Sequence, residues 1–445
     1  MNAQETGSVA GLNNTLTPPA CREDLQILQA SFEEGHAGYD RYVSIAYLHG
    51  LFETFEQRCY VPKQAWEFFK MVSTISASIK DGHTRTRFSD LVEKSIDDKL
   101  ELLPFFVIVD GREAVVYRDL GEPAGKFNGM VLQSVNGIEV TRILEELRLT
   151  TPVDGDILSA KDRRIEGWAF VRGLATTLGI TSPYAVTMIN SRGKVLKYVL
   201  GGTTLRNIET RFEQQEGKLH PSPAGLAFYQ NRSVAVLKIR QFGGKLDPRL
   251  GRNFPTFFRN TFEEIRKFKT RSIILDLRGN RGGETELGPL LLSYLIDSPI
   301  KYYESTSVKP VAAKYLDVPK NFVELLKEDG LTRASDGSFH SNEPEMVLPS
   351  EPAFHGNIYV LQDGLSFSVT ADFVALLRET QKATFIGEES GGASGGNTSG
   401  WDGIVVLPNS RLIVRVPLVA YHNAIDPRFP PARGVFADHS VGMSI

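Results

Sequence analysis

The chain has 445 residues, of which 41% are hydrophobic and 23% charged, the proportions of an ordinary globular protein with material for roughly three domains. Lys and Arg number 50 against 53 Asp and Glu, a formal charge of −3, so nothing marks the surface for nucleic acid or anionic lipid. The longest nearly apolar stretch, Leu287 to Ile296, is interrupted by Gly288, Pro289, Ser293 and Tyr294 and is too short to span a bilayer.

Residues 1–20 lack a basic segment followed by an apolar one and read as a disordered lead-in, not a signal peptide. Over residues 21–100, expected as a helical domain, apolar side chains recur at helical spacing: Leu25, Leu28, Phe32; Ile45, Leu48, Leu51, Phe52, Phe55; Trp66, Phe69, Val72, Ile75, Ile79. Three amphipathic helices are predicted, the first two separated by Gly35 and Gly38 and the third opened by Pro62. If the first two pack as an antiparallel hairpin, Cys21 lies near Cys59, the chain's other cysteine. A disulfide and two buried thiols are then equal alternatives. No metal-finger spacing occurs.

Residues 101–205 change to a β-rich pattern, with strand-like runs at 105–109, 114–117, 130–135, 184–189 and 195–200 and turn signals at Asp110-Gly111, Asn136-Gly137 and Arg192-Gly193. A polar connector is expected over 206–222. Beyond it strands (234–239, 272–277, 358–361, 384–386) alternate with helices (260–268, 287–296, 369–379). Such alternation predicts an α/β core over 206–445 with a mostly parallel, buried sheet. Residues 310–349 read as a polar surface insertion.

Two strand–loop–helix junctions in this core carry chemical interest. In the first, the strand ending at Asp276-Leu277 leads through Gly279, Gly282 and Gly283 into a helix. Glycines there allow close backbone approach and leave amide N–H groups at a positive helix end. The spacing matches neither a dinucleotide nor a P-loop fingerprint. In the second, a strand ends at Leu361, Asp363-Gly364 turns, and Ser368 stands at the mouth of a helix presenting Val369, Phe373, Leu376 and Leu377 on one face. A serine so placed can be an N-cap. It can equally be a nucleophile, with the Val369 N–H and the helix dipole stabilising an oxyanion.

Asp276-Leu277-Arg278-Gly279-Asn280-Arg281-Gly282-Gly283, the Ser366–Asp372 stretch SFSVTAD and Ile386-Gly387-Glu388-Glu389-Ser390-Gly391-Gly392 resemble three consecutive blocks of the C-terminal processing and tricorn-like serine peptidases. Val234–Phe242 resembles the strand that opens that family's core and Gly434–His439 its closing block, so the likeness spans residues 230–445. It implies a ClpP/crotonase-like core and hydrolysis of peptides or unfolded proteins without metal or cofactor. The branch with a Ser-Lys dyad places its lysine about 25 residues past the serine. Here that position is Ala393, which excludes the dyad.

The tricorn-like branch uses serine, histidine and an acid. Lys80-Asp81-Gly82-His83-Thr84 resembles its histidine motif, and Asp426, 58 residues past Ser368, stands where the resemblance places the acid, although Glu is usual there. The resemblance thus implies Ser368 as nucleophile, His83 as base and Asp426 as acid, with Glu388 the competitor for the acid and His422 and His439 the rival bases. The oxyanion hole would join Val369 N–H to one N–H of Gly282 or Gly283. Gly129–Val140 resembles the closing hairpin of a PDZ domain, but no carboxylate-binding loop precedes it, so the middle domain is expected to be a degenerate PDZ-like one. Two further classes fit the same fold: a carrier of an apolar ligand that has lost the triad, and an acyl-CoA enzyme. The resemblance and the feasible cysteine pair favour a periplasmic or extracellular protein, the missing signal a cytoplasmic one. The partner expected is a peptide or unfolded protein, with no nucleic acid and no membrane insertion.

Overall fold

The structure, a computed structural model, describes residues 11–12, 14–217, 222–310, 314–341, 343–427 and 429–442. The lead-in expected over residues 1–20 lies outside the described residues as far as residue 10. Within its described part, Thr15–Leu16 pairs with Lys63–Gln64 and a helix begins at Pro18.

The three predicted helices are Pro18–Gly35, Ile45–Arg58 and Ala65–Ser78. The second is capped by Ser44, whose hydroxyl accepts the Tyr47 N–H. The third is opened not by Pro62 but by a reciprocal capping box between Gln64 and Glu67, which satisfies two N–H groups that a helix start leaves free. Cys21 and Cys59 are joined, with Cα atoms 5.6 Å apart.

Five strands of the next region form one antiparallel sheet in the order Phe105–Asp110, Glu113–Asp119, Val131–Val135, Tyr184–Ile189, Val195–Leu200, with Ile138–Glu139 folded back onto the third. The β-rich reading missed its helices: Val140–Leu149, Leu158–Arg164 and Trp168–Thr176. The first of these buries Val140, Ile143, Leu144 and Leu147, a helical period that the neighbouring strand runs obscured. The expected polar connector is largely a helix too, Leu205–Glu216. Its Ile208 is fully buried and its Phe212 ring meets Phe106 and Trp168.

The α/β core holds a six-stranded sheet in the order Ala224–Tyr229, Val234–Ile239, Ser272–Asp276, Asn357–Gln362, Ala383–Gly387, His439–Ser440. Only the first pair is antiparallel. Leu237, Leu275, Val360 and Phe385 lie in register across it and are buried, beneath helices Phe254–Lys267, Leu287–Ser293 and Val369–Glu379. The first of these starts six residues before the expected position because Asn253 caps it through the Thr256 N–H, with Pro255 in the first turn. The region read as a surface insertion contributes strands Leu331–Arg333 and Phe339–Ser341 to a sheet that also holds Tyr303–Val308, before it, and Val419–Asn423.

One small sheet docks the amino-terminal part onto the core. Arg85–Arg87 pairs antiparallel with Ile413–Pro417, which pairs in turn with Asp402–Val406. The apolar cluster around it contains Cys21, Leu28 and Ile75 of the helices, Phe106 and Val186 of the antiparallel sheet, and Val405 and Val414 of the carboxyl-terminal strands. Burying that much apolar surface in one cluster holds these segments as a unit.

Candidate functional site

In open sheets of parallel strands, ligand chemistry gathers at the carboxyl ends of the strands. Both junctions lie there. Asp276 leads into the glycine loop and Gln362 into the turn before Ser368. The two loops are tied together by the Phe367 N–H on the Asn280 carbonyl at 3.0 Å and the Ser366 hydroxyl on the Leu277 carbonyl at 3.0 Å. Asn280, which sequence reasoning passed over, is fully buried; its Nδ2 donates to the Ile239 carbonyl and its Oδ1 accepts the Gly282 N–H.

Ser368 stands at the N-cap position of helix Val369–Glu379, but its side chain makes no capping bond. Its φ of 59° and ψ of −133° are costly for a residue with a Cβ, about 1–3 kcal/mol, and such strain concentrates at functional sites. The hydroxyl is turned instead to His83, with Nε2 and Oγ 3.1 Å apart. Gly282 lies directly alongside: a Cβ there would come within 2.7 Å of the Ser368 Cβ, so only glycine fits.

His83 sits on a tight turn at the end of the third helix. Asp81 Oδ1 accepts the N–H groups of His83 (2.7 Å) and Thr84 (3.2 Å), while Oδ2 accepts the Thr398 hydroxyl. Asp154, between two helices of the middle region, accepts the Gly82 N–H at 2.7 Å and the Ala393 N–H at 3.3 Å. Gly82 must be glycine, since a Cβ would meet the Phe367 ring at 2.7 Å. The imidazole packs on that ring, centroids 4.5 Å apart, and Arg164 lies 4.1 Å over the same ring while donating to the Gly82 and Pro152 carbonyls. Burial, then Arg164, Arg415 and Arg85, hold the His83 pKa well below that of an ordinary histidine. The imidazole is therefore neutral at neutral pH and able to accept a proton.

Donor atoms of Asp81, His83 and Asp154 lie within 4.8 Å of one another. They are the only such cluster among the described residues, but both carboxylates are already committed to N–H and hydroxyl donors of the turn. Burial pushes Asp154 up to about 6 and raises Asp81 as well.

The structure does not bring Asp426 to this imidazole. His83 Nδ1 is buried with no hydrogen-bond partner. The Asp426 N–H donates to Glu379, and the residue lines a cavity of about 550 Å³ with Ile300, Lys301 and Glu304. Glu379 ends the helix that Ser368 begins, and eleven residues at helical rise put its backbone about 16 Å from the serine's. Glu388 is not on the imidazole either: its Oε2 accepts the Gly364 N–H and pairs with Arg163. Of the rival bases, His439 is exposed on an edge strand and His422 lies in the strand paired with Ser305.

Two backbone N–H groups stand at the starts of the adjoining elements. Val369 opens the helix, so its N–H has no intrahelical acceptor. The Gly282 N–H is held by Asn280. Phe242 bonds to the Gly282 carbonyl and the Glu284 N–H, which leaves the intervening Gly283 N–H directed away from that strand. A hydroxyl against a neutral imidazole, beside free backbone N–H groups, is suited to acyl transfer.

Four residues below Ser368 on the same helix, the buried Asp372 accepts from Asn397, from Asn423 at 3.0 Å and from the Tyr303 hydroxyl at 3.0 Å. It belonged to the block quoted around Ser368, and its spacing of four marked it as sharing that face.

Residues 233–426 match the family model described as Peptidase family S41. Among solved structures, mature CPAF superposes with a TM-score of 0.64 at 14% identity, covering 95% of this chain and 92% of that one. A photosystem II D1 C-terminal processing protease (TM-score 0.43, 12% identity, 95% and 93% covered) and the tricorn protease (0.34, 13%, 95% and 34%) are also similar. No curated protein matches the sequence. The likeness to CPAF shows a shared fold of mixed α/β content with β-rich regions.

Proposed function

We propose, from the premise that this chain carries a peptidase family S41 domain over residues 233–426, that Ser368 is its nucleophile and His83 the general base of an endopeptidase acting on peptides and unfolded proteins. The S41 domain makes the chain a serine-type peptidase. The observation that carries the finer reading is the 3.1 Å approach of His83 Nε2 to the hydroxyl of a strained, uncapped Ser368.

In this reading Ser368 Oγ attacks the peptide carbonyl as its proton passes to His83 Nε2. The oxyanion is held by the N–H groups of Val369 and Gly283, the amine leaves with the proton from the imidazolium, and water then releases the acyl group by the same path. With Nε2 as acceptor, the neutral ring carries its proton on Nδ1, where no carboxylate meets it. Asp81 and Asp154 orient the base through the backbone of its turn instead. No step calls for a metal or cofactor.

We read the parallel sheet and its helices as the ClpP/crotonase-like core and the antiparallel sheet of residues 105–200 as a degenerate PDZ-like unit. The Cys21–Cys59 bond supports an oxidising, periplasmic or extracellular setting. No helix of the described residues is long and apolar enough to cross a membrane.

A fluorophosphonate probe should label Ser368, and the enzyme should hydrolyse denatured casein. Ser368→Ala should lose both while unfolding at the same temperature. Full turnover by Ser368→Ala sinks the assignment, and a wild type that neither labels nor cleaves favours the carrier reading.

A further inference from the structure

His83 Nδ1 is buried with no hydrogen-bond partner, although it is the ring nitrogen nearer the backbone N–H that Asp81 holds. Donor atoms of His83, Asp81 and Asp154 lie within 4.8 Å of one another, and none of the three residues is more than 6% exposed. The Tyr42 hydroxyl is likewise buried without a partner, in the field of both Asp154 and Asp81. Buried polar atoms are nearly always satisfied, and an exception points to a ligand, an ion or a water.

The hydrogen bonds of the histidine turn do not exhaust the two carboxylates. An ionised carboxylate offers about four lone-pair sites. Asp81 gives three to the His83 and Thr84 N–H groups and the Thr398 hydroxyl, and Asp154 gives two to the Gly82 and Ala393 N–H groups. Both therefore keep acceptor capacity beside an imidazole nitrogen that has a lone pair to offer in one of its two neutral tautomers. The carboxylates also repel one another, which a cation between them relieves. One imidazole nitrogen with two carboxylate oxygens is a ligand set that zinc accepts, at about 2.0–2.2 Å from each atom. Ligands of one such ion stand about 3–4 Å apart, so shifts of about an ångström close the site.

We propose that Asp81, His83 through Nδ1, and Asp154 form a zinc-binding site, and that zinc there silences the dyad. The silencing rests on the peptidase reading; the binding does not. In the working tautomer the single ring proton is on Nδ1, and the Nε2 lone pair meets Ser368 Oγ. When zinc takes the Nδ1 lone pair, one proton leaves Nδ1 for solvent and one is taken up at Nε2, so the ring stays neutral. Nε2 then donates to Ser368 Oγ and no longer accepts its proton. Removing the ion reverses the exchange.

The experiment uses the full chain carrying Ser368→Ala, with zinc chloride in competition with the fluorescent chelator mag-fura-2. One zinc should bind per chain, at least about a hundredfold tighter than magnesium or calcium, which prefer all-oxygen sites. Adding His83→Gln should weaken zinc at least about tenfold, the loss that even an outer partner of a metal ligand causes, and adding Asp154→Asn should weaken it too. Nitrogen NMR of the Ser368→Ala protein, which alters no proposed ligand, should show zinc moving the His83 Nδ1 resonance while Nε2 carries the proton. Fluorophosphonate labelling of the wild type should slow with zinc and recover with EDTA. Absence of zinc binding overturns the proposal. So does equal binding by the His83→Gln chain with unchanged circular dichroism, which would assign the ion to other histidines. An unmoved His83 Nδ1 resonance at saturating zinc overturns it as well, whatever the variants do. Zinc held at His83 with labelling unslowed removes the silencing, whereas zinc held there in a protein that never labels sinks the peptidase reading and leaves the site standing.

Discussion

His83 Nε2 and Ser368 Oγ meet at 3.1 Å although 285 residues separate them in the chain. As the proposed base, His83 must be unprotonated to work. Burial and the nearby arginines lower its pKa, so the acid limb of kcat/KM should fall below the ordinary histidine value of about 6.5. Arg164 is the foremost of the charges responsible, so Arg164→Met should move that midpoint upward. Arg164 also holds down Asp154, which burial pushes up to about 6, so the Arg164→Met shift should be read in an Asp154→Asn background, where only His83 remains to move. A midpoint that stays in place or falls argues against His83 as the base.

Two carboxylates should respond unequally to the same change. Asp154→Asn keeps one acceptor oxygen where the turn needs two, so either the Gly82 or the Ala393 N–H loses its partner. A buried donor left unpaired costs about 1–3 kcal/mol, and kcat should drop on the order of tenfold or more with little change in KM. Asp426→Asn, at the far end of the Ser368 helix, should alter kcat/KM by less than about threefold. Steady-state kinetics on one quenched peptide decides the point, and a larger loss at Asp426 would falsify the placement of the acid described above.

Asp372 offers a stability test with a defined sign. Burial raises its pKa from 3.8 to about 7, so the folded state binds this proton more tightly than the unfolded chain does. Its stabilising contribution is full below about pH 4 and is lost as pH rises through 7, with a total of about 4 kcal/mol. Urea unfolding at pH 5 and pH 8 should show wild type weakening across that interval. Asp372→Asn should show a smaller difference, and an equal one removes Asp372 as the cause.

The Cys21–Cys59 bond closes a separation of 38 residues, for which chain entropy predicts about 4 kcal/mol of stabilisation. Intact mass should rise by two hydrogens on reduction under denaturing conditions, and urea unfolding with and without reductant should differ by a few kcal/mol. Two free thiols in the untreated protein would remove the bond and with it the main support for an exported location.

The sequence was most legible where one period ran without competition. Val369–Glu379 appears with its predicted bounds because Val369, Phe373, Leu376 and Leu377 mark a single face, and Val234–Ile239 does so because a nearly continuous apolar run is bounded by Ser233 and Arg240. Val140–Leu149 was lost between strand runs, although its apolar spacing was equally clear. The approach of Ser368 and His83 is legible in the sequence because each sits in a short motif with its own turn chemistry. Asp154 and Arg164 were not, since they act through backbone groups of residues more than seventy positions away. Asp426 was misplaced for the opposite reason: spacing along the chain says nothing about which end of a helix a loop will reach.

The turn that bears His83 is clasped from both sides, by Asp154 through Gly82 and by Thr398 through Asp81, while the strand after it is completed only by Ile413–Pro417. With His83 as the proposed base, a ribosome-bound chain should not seat it until synthesis has passed those carboxyl-terminal strands. Copies that end before Ile413 should then fail to hydrolyse peptides, and activity in a chain ending at residue 412 would remove this dependence.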